Sequence, residues 1–208
     1  MKLPSLANVH VLVIGDVMLD RYWQGDARRL SEEAPVPIVD VDSVSDRPGG
    51  AANVALNIVS LGAQATLVGA VGNDDIGRAL TEQLTAAGVH CDLVSVPDWP
   101  TILKLRVVSR KQQLLRTDFE EPLPDAAAQA VHEAAQRHLS AVNAVILQDY
   151  DKGALADPAA LISAAPVPVV VDPKHKSLGS YRGADICKPN AAELRSVIGD
   201  WQDDAQLV

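Results

Sequence analysis

Val9-His10-Val11-Leu12-Val13-Ile14, closed by Gly15-Asp16, is an apolar, β-branched run of strand length. It is too short for a signal-peptide core or a membrane span, so it reads as a first strand covered on both faces. Ala65 to Val71, Ala144 to Leu147 and Val167 to Val171 repeat the pattern, each bounded by Gly, Pro, Asp or Asn. Strands of this kind belong to buried parallel sheets. Between them lie helical stretches: Gly50 to Leu61 with Val54, Ile58 and Leu61 on one face, Ile76 to Ala87, Asp125 to Leu139, and Asp157 to Ala165. The alternation predicts an α/β fold with a mostly parallel central sheet. Asp125 to Ala135 is rich in Ala, as an exposed helix can be.

Two segments break the rhythm. Pro35 to Val41 carries prolines that confine a strand to a sheet edge. Ile102 to Arg110, followed by Gln113 to Phe119, alternates so that Lys104, Arg106 and Arg110 share one face and Leu103, Leu105 and Val107 the other. Both read as antiparallel strands outside the main sheet, forming a small flap with a basic face and an apolar back.

With 208 residues, 48% of them apolar, the chain can bury a substantial core in one domain. A net charge of -9 argues against a nucleic-acid surface, which needs a clustered excess of Lys and Arg. Cys91 and Cys187 are the only thiols and lack metal-type spacing, which suggests neither a disulfide framework nor a zinc site and fits a reducing cytoplasm. No membrane segment is expected.

The segment Arg47-Pro48-Gly49-Gly50-Ala51-Ala52-Asn53 reads as a paired-glycine turn entering a helix. Residues without Cβ let backbone N–H groups approach a ligand, the helix start adds unpaired donors, and Asn53 can donate and accept at once. In open parallel sheets, ligands lie beyond the carboxyl ends of the strands. Those positions hold Asp16 and Asp20, then Asp149, Tyr150 and Lys152, then Asp172, Pro173 and Lys174. Carboxylates gathered there suit sugar hydroxyls through charge-assisted hydrogen bonds, although Asp16 equally fits a turn residue capping its own loop. Lys152, Lys174 and Arg106 could hold an anionic end of the same ligand. Asn190 and Glu193, three apart in Pro189-Asn190-Ala191-Ala192-Glu193, fit either a helix N-cap or a carboxylate and amide that order a magnesium hydration shell.

Together these residues resemble the ribokinase-like (pfkB) carbohydrate kinases. Gly49-Gly50-Ala51-Ala52-Asn53-Val54-Ala55, with Gly62 and Gly72, is similar to that family's N-terminal signature, and Asn190 with Glu193 to its magnesium-associated N-x-x-E motif. Gly15 to Trp23, Glu33 to Pro37, Arg47-Pro48-Gly49-Gly50, Lys104 to Arg110, Asp118-Phe119-Glu120-Glu121, and Asp149-Tyr150 with Lys152-Gly153 resemble the branch that acts on D-glycero-β-D-manno-heptose 7-phosphate. The resemblance spans almost the whole chain. It implies a three-layer ribokinase-like sandwich with a β lid at about residues 21–47 and 100–119. The implied reaction transfers the γ-phosphoryl group of ATP, with Mg²⁺, to the anomeric hydroxyl of the heptose phosphate, on the route to ADP-heptose and the lipopolysaccharide core.

The resemblance also implies roles: Asp16, Asp20, Gly49, Gly50, Asn53 and Asp149 on sugar hydroxyls, Arg106, Lys152 or Lys174 on the substrate phosphate, and Asn190, Ala191, Ala192 and Glu193 at ATP and, through water, Mg²⁺. It further implies a homodimer formed through the lid. The family's Gly-Ala-Gly-Asp motif does not occur within residues 1–208. These residues are therefore expected to be the N-terminal portion of one kinase domain, to lack the catalytic base, to be inactive and poorly soluble alone, and to expose a sheet edge. A kinase for another sugar, and a non-catalytic sugar-binding or dimerisation module, are the alternative readings.

Overall fold

A computed structural model describes residues 5–174 and 177–201 of the chain. Ten strands are β1 His10–Gly15, β2 Val17–Leu30, β3 Pro37–Gly50, β4 Gln64–Gly72, β5 His90–Val96, β6 Leu103–Ser109, β7 Gln112–Phe119, β8 Ala144–Gln148, β9 Val169–Asp172 and β10 Ile186–Cys187. The α-helices among the described residues are α1 Ala51–Ser60, α2 Asp75–Ala86, α3 Asp125–His138, α4 Pro158–Ala164 and α5 Ala191–Ile198. The main sheet has the order β10-β9-β8-β1-β4-β5, every neighbouring pair parallel. A second sheet, β3-β2-β6-β7, stands beside it.

The central strand β1 shows why the α/β reading holds. Leu12 and Ile14 face one core, with α3 and α4, while Val11 and Val13 face another, with α1 and α2. A strand apolar at every position can only be satisfied between two helical layers. The result is the expected three-layer arrangement.

Three expectations change. The buried face of α1 is Ala51, Ala52, Ala55 and Ile58, with Val54 only partly covered and Leu61, the C-cap, 60% exposed. Small side chains there let α1 lie close to the sheet, and the larger apolar residues fall toward its flank. The Ala-rich face of α3 is also buried, through Ala127, Ala128, Ala134 and Ala135 around Val131, instead of being exposed. Gly49-Gly50 is no turn: β3 continues through both glycines, paired with Met18 and Val17 of β2. The apolar-run reading also missed β2, β5 and β10, although the lid implied at about residues 21–47 overlaps β2. In β2 the polar stretch Asp20 to Leu30 alternates across a sheet with two partly solvated faces, which dilutes the apolar signal.

The second sheet contains both segments singled out as lying outside the main sheet. β3 pairs antiparallel to β2, β6 parallel to β2, and β7 antiparallel to β6. The proline-bearing strand is indeed at an edge. Arg110 leaves the alternation, because it begins the tight β6–β7 turn with φ 48°.

Candidate substrate site

The strand order places the carboxyl ends of β10, β9, β8 and β1 side by side. Asn190, Asp172, Asp149 and Asp16 follow or end those strands, so the polar residues gather along one edge of the sheet. β1 lies between β4 and β8, where the order reverses, the position at which open α/β sheets part into a crevice.

The β3–α1 junction forms one wall. Gly50 is the N-cap of α1 with φ 57° and ψ -133°, and a Cβ on it would overlap the Asp16 carbonyl oxygen. A Cβ on Gly49 would lie 2.6 Å from Asp20 Oδ2 and 2.9 Å from Met18 Cγ. Both glycines are thus demanded by close strand contact as well as by any ligand. The Ala51 N–H donates to the Asp16 carbonyl at 2.9 Å. No side chain caps α1 and its first turn holds no acid, so the Asp16 carbonyl is the acceptor at this helix start and no carboxylate of its own answers its positive end, while Asn53 is exposed in that same turn.

Asp16 is only 2% exposed, and its carboxylate accepts from the backbone N–H groups of Tyr150 at 2.7 Å, Lys152 at 3.2 Å and Ala154 at 3.1 Å. Burial raises its pKa, and those three donors oppose the rise. The loop-capping reading describes these contacts, with the capped loop being the one after β8 and not its own. Asp149 is similarly enclosed: it accepts from the Tyr181 hydroxyl at 2.8 Å and the Asp151 N–H at 2.7 Å. Burial, with Asp149 adjacent, pushes the Tyr181 phenol far up.

The cations are not free. Arg106 hydrogen-bonds to Asp20, Lys152 pairs with Glu120 at 2.6 Å, and Lys104 pairs with Asp118 at 3.0 Å and Glu120 at 3.4 Å. The flap face expected to be basic is therefore a mixed lattice of both signs. Lys174 belongs elsewhere, 3.1 Å from Glu193, beside a second pair of Lys188 and Asp172 at 2.9 Å. The nearby carboxylate raises the Lys188 pKa, chiefly through its hydrogen bond. Tyr150 lies between the two groups: burial raises its pKa first, and Asp172, Lys174, Asp20 and Lys188 all act on it. Lys188 escaped the sequence reading, and Tyr150 and Glu120 were named there without a role, since their partners come from distant segments.

At α5 the capping box is complete. Asn190 Oδ1 accepts from the Ala192 and Glu193 N–H groups at 2.9 Å each, and Glu193 Oε2 accepts from the Asn190 N–H at 2.8 Å. A cleft of about 690 Å³ is lined by Lys174, Asn190, Ala192, Glu193 and Ser196, and a smaller one of about 140 Å³ by Asp149, Tyr150, Asp172, Lys188 and Glu193. Among the described residues no group of three or more His, Cys, Asp or Glu side chains is arranged to hold a metal directly. The donor set instead fits a hydrated Mg²⁺ that meets a single carboxylate.

An α/β sandwich with a polar carboxyl edge, an uncapped helix start and a small second sheet defines a class, and comparison with known proteins names it. Residues 8–208 match the model of the pfkB family carbohydrate kinases, and the chain belongs to that family. It is 52% identical to the Bifunctional protein HldE of Klebsiella pneumoniae, over 99% of this chain and 44% of that protein. Against the Bifunctional protein HldE of Photorhabdus laumondii it is 50% identical, over 100% of this chain and 44% of that one. The chain thus spans less than half the length of these relatives. Among solved structures, the tetrameric inhibited form of Escherichia coli phosphofructokinase-2 superposes with a TM-score of 0.73 at 19% identity, covering 96% of this chain and 67% of that one. Arabidopsis thaliana ribokinase, complexed with ribose and ATP, gives 0.64 at 22%, covering 92% and 62%. These two likenesses show the ribokinase-like fold. No described helix is long and apolar enough to cross a membrane.

Proposed function

We propose that the protein carrying this chain is a cytoplasmic, ATP-dependent kinase that phosphorylates the anomeric hydroxyl of D-glycero-β-D-manno-heptose 7-phosphate, toward ADP-heptose. The observation that carries the reading is the roughly half identity, along nearly the whole chain, with the HldE proteins. In this reading the uncapped start of α1, Asn53 and Asp20 take the sugar hydroxyls, with Gly49 and Gly50 allowing the backbone to come close. Asp16 and Asp149 hold the loop that carries Tyr150 and Lys152. Lys174, Asn190, Ala192 and Glu193 line the cleft on the nucleotide side, with Ala191 at the start of the same helix; there Mg²⁺ would arrive with ATP and meet Glu193 through water, and the bound ion would neutralise phosphate charge. The second sheet is the lid.

The lid's other face supports pairing with a second copy. Val44, Trp23, Val107 and Leu115 occupy one register row across all four strands, and Trp23, Val44 and Leu115 are exposed. A continuous apolar row on a monomer's sheet is unusual unless covered. Trp23→Glu is expected to halve the mass seen by sedimentation; an unchanged mass removes the lid from the interface.

The activity is tested on the full-length protein by following ADP release with heptose 7-phosphate, ribose and fructose 6-phosphate, and by locating the new phosphate by NMR. A new anomeric phosphate on the heptose, with kcat/KM at least 100-fold above the other sugars, is expected. Equal use of another sugar, or no sugar-dependent ADP, overturns the reading.

A further inference from the structure

Tyr22, Arg47 and Arg106 on one side of the second sheet form a unit in which Tyr22 and Arg47 have so far been given no role. Asp20 is paired across strands with Arg47 of β3 and with Lys104 of β6, and Tyr22, two residues on, is paired with Arg106. Residues two apart on a strand share a face, so Asp20, Tyr22, Arg47 and Arg106 lie on one side of the sheet. That side is turned toward the β3–α1 junction and the loop after β8, because Asp20 lies against Gly49 and acts electrostatically on Tyr150. The Tyr22 ring carries a guanidinium at each flank: Arg47 with its central carbon 4.9 Å from the ring centroid and Arg106 at 5.4 Å.

Two guanidiniums gathered on one ring repel each other, and a protein usually offsets such charge with carboxylates. Elsewhere in this sheet it does so. Arg21 has Asp46, Arg28 has Asp26, Arg29 has Asp40, Arg106 has Asp20 and Arg116 has Asp118. Among the described residues, Arg47 is the arginine of these strands with no carboxylate within 4 Å; its recorded partner is the aromatic ring. Stacking fixes the plane of a guanidinium while leaving its five N–H donors pointing outward, the geometry that suits a bidentate grip on phosphate. Arg106 is engaged through one nitrogen, Nη1, and keeps its remaining donors.

We infer that Arg47, braced on Tyr22 and assisted by Arg106, is the group that recognises the phosphate already present on the sugar. This rests on the proposed phosphorylated acceptor and deepens it. Lys152 and Lys174 are thereby released from that task, consistent with their commitment to Glu120 and Glu193. The phosphate end of the substrate would lie over β3, β2 and β6, with its hydroxyls running from Asp20 toward the start of α1. Binding would also tie the lid to the ligand, since all three side chains belong to lid strands.

The test is steady-state kinetics on the full-length protein with heptose 7-phosphate and with the same heptose lacking its phosphate, together with inhibition by inorganic phosphate. Arg47→Ala is expected to raise KM for the phosphorylated sugar roughly 10- to 100-fold, the range for losing a charge-assisted pair. KM for ATP and kcat/KM for the unphosphorylated sugar should stay within about 2-fold, and phosphate inhibition should weaken in parallel. Arg47→Lys should recover only part of the loss, because it restores charge without the planar fork. Tyr22→Leu, which keeps Arg47 but removes its platform, should give a smaller rise of the same selectivity. Equal loss on both sugars, or phosphate inhibition unchanged in Arg47→Ala, overturns the inference. A wild-type protein indifferent to the sugar's phosphate instead overturns the proposed acceptor.

Discussion

The two helix starts flanking the candidate site are built in opposite ways. α1 begins at a glycine with positive φ, has no side-chain cap, and is sunk into the core through Ala51, Ala52 and Ala55. α5 begins with a closed capping box and buries none of its residues. A helix start held rigid by its neighbours can leave its donors unpaired for a ligand, whereas one on the surface has to satisfy them itself to exist. The α1 side of the candidate site is therefore pre-formed by the fold, and the Asn190 side is formed locally.

That contrast can be broken by substitution. The largest effect is expected at Asp16, whose loss in Asp16→Ala orphans three N–H donors of the loop after β8 and should cost roughly 3–5 kcal/mol by denaturant unfolding of the full-length protein. A cost under about 1 kcal/mol would mean that the loop does not depend on it. Next comes Gly50→Ala, which combines unfavourable φ with overlap against the Asp16 carbonyl, for about 2–3 kcal/mol. Gly62→Ala is its control: φ is 86° there but nothing lies within 4 Å of the added Cβ, so only about 1 kcal/mol should be lost. If the two glycines prove equivalent, close packing at the α1 start is not what distinguishes it. The smallest change is expected at α5. Asn190→Ala removes a surface cap worth about 1 kcal/mol, while Glu193→Gln preserves the box and should shift stability by less than about 0.5 kcal/mol. If Glu193→Gln nonetheless lowers kcat more than 10-fold, its charge serves the nucleotide and not the helix.

Legibility followed the strength of local patterns. The strands β1, β4, β8 and β9 and the helices between them announce themselves because burial on two faces forces unbroken apolar runs. β2 did not, since from Asp20 onward both of its faces are partly solvated. Asn190 and Glu193 were visible as a pair three residues apart, and their mutual capping is a local event. Asp16 was visible as a residue after a strand, but its partners lie more than 130 residues away. Nothing in the neighbourhood of Arg47 announces that it will share a ring with Arg106.

Sequence by itself determined the α/β class, the parallel character of the core strands and the residue types at their carboxyl ends, because these depend on periodicity and on which groups tolerate burial. Tertiary structure decided the strand order, which charges are already neutralised, which acids hold loops and which arginine of the second sheet meets a ring instead of a carboxylate. Those properties belong to pairs of residues brought together by strand register, and a sequence lists the members of such pairs without saying which will meet.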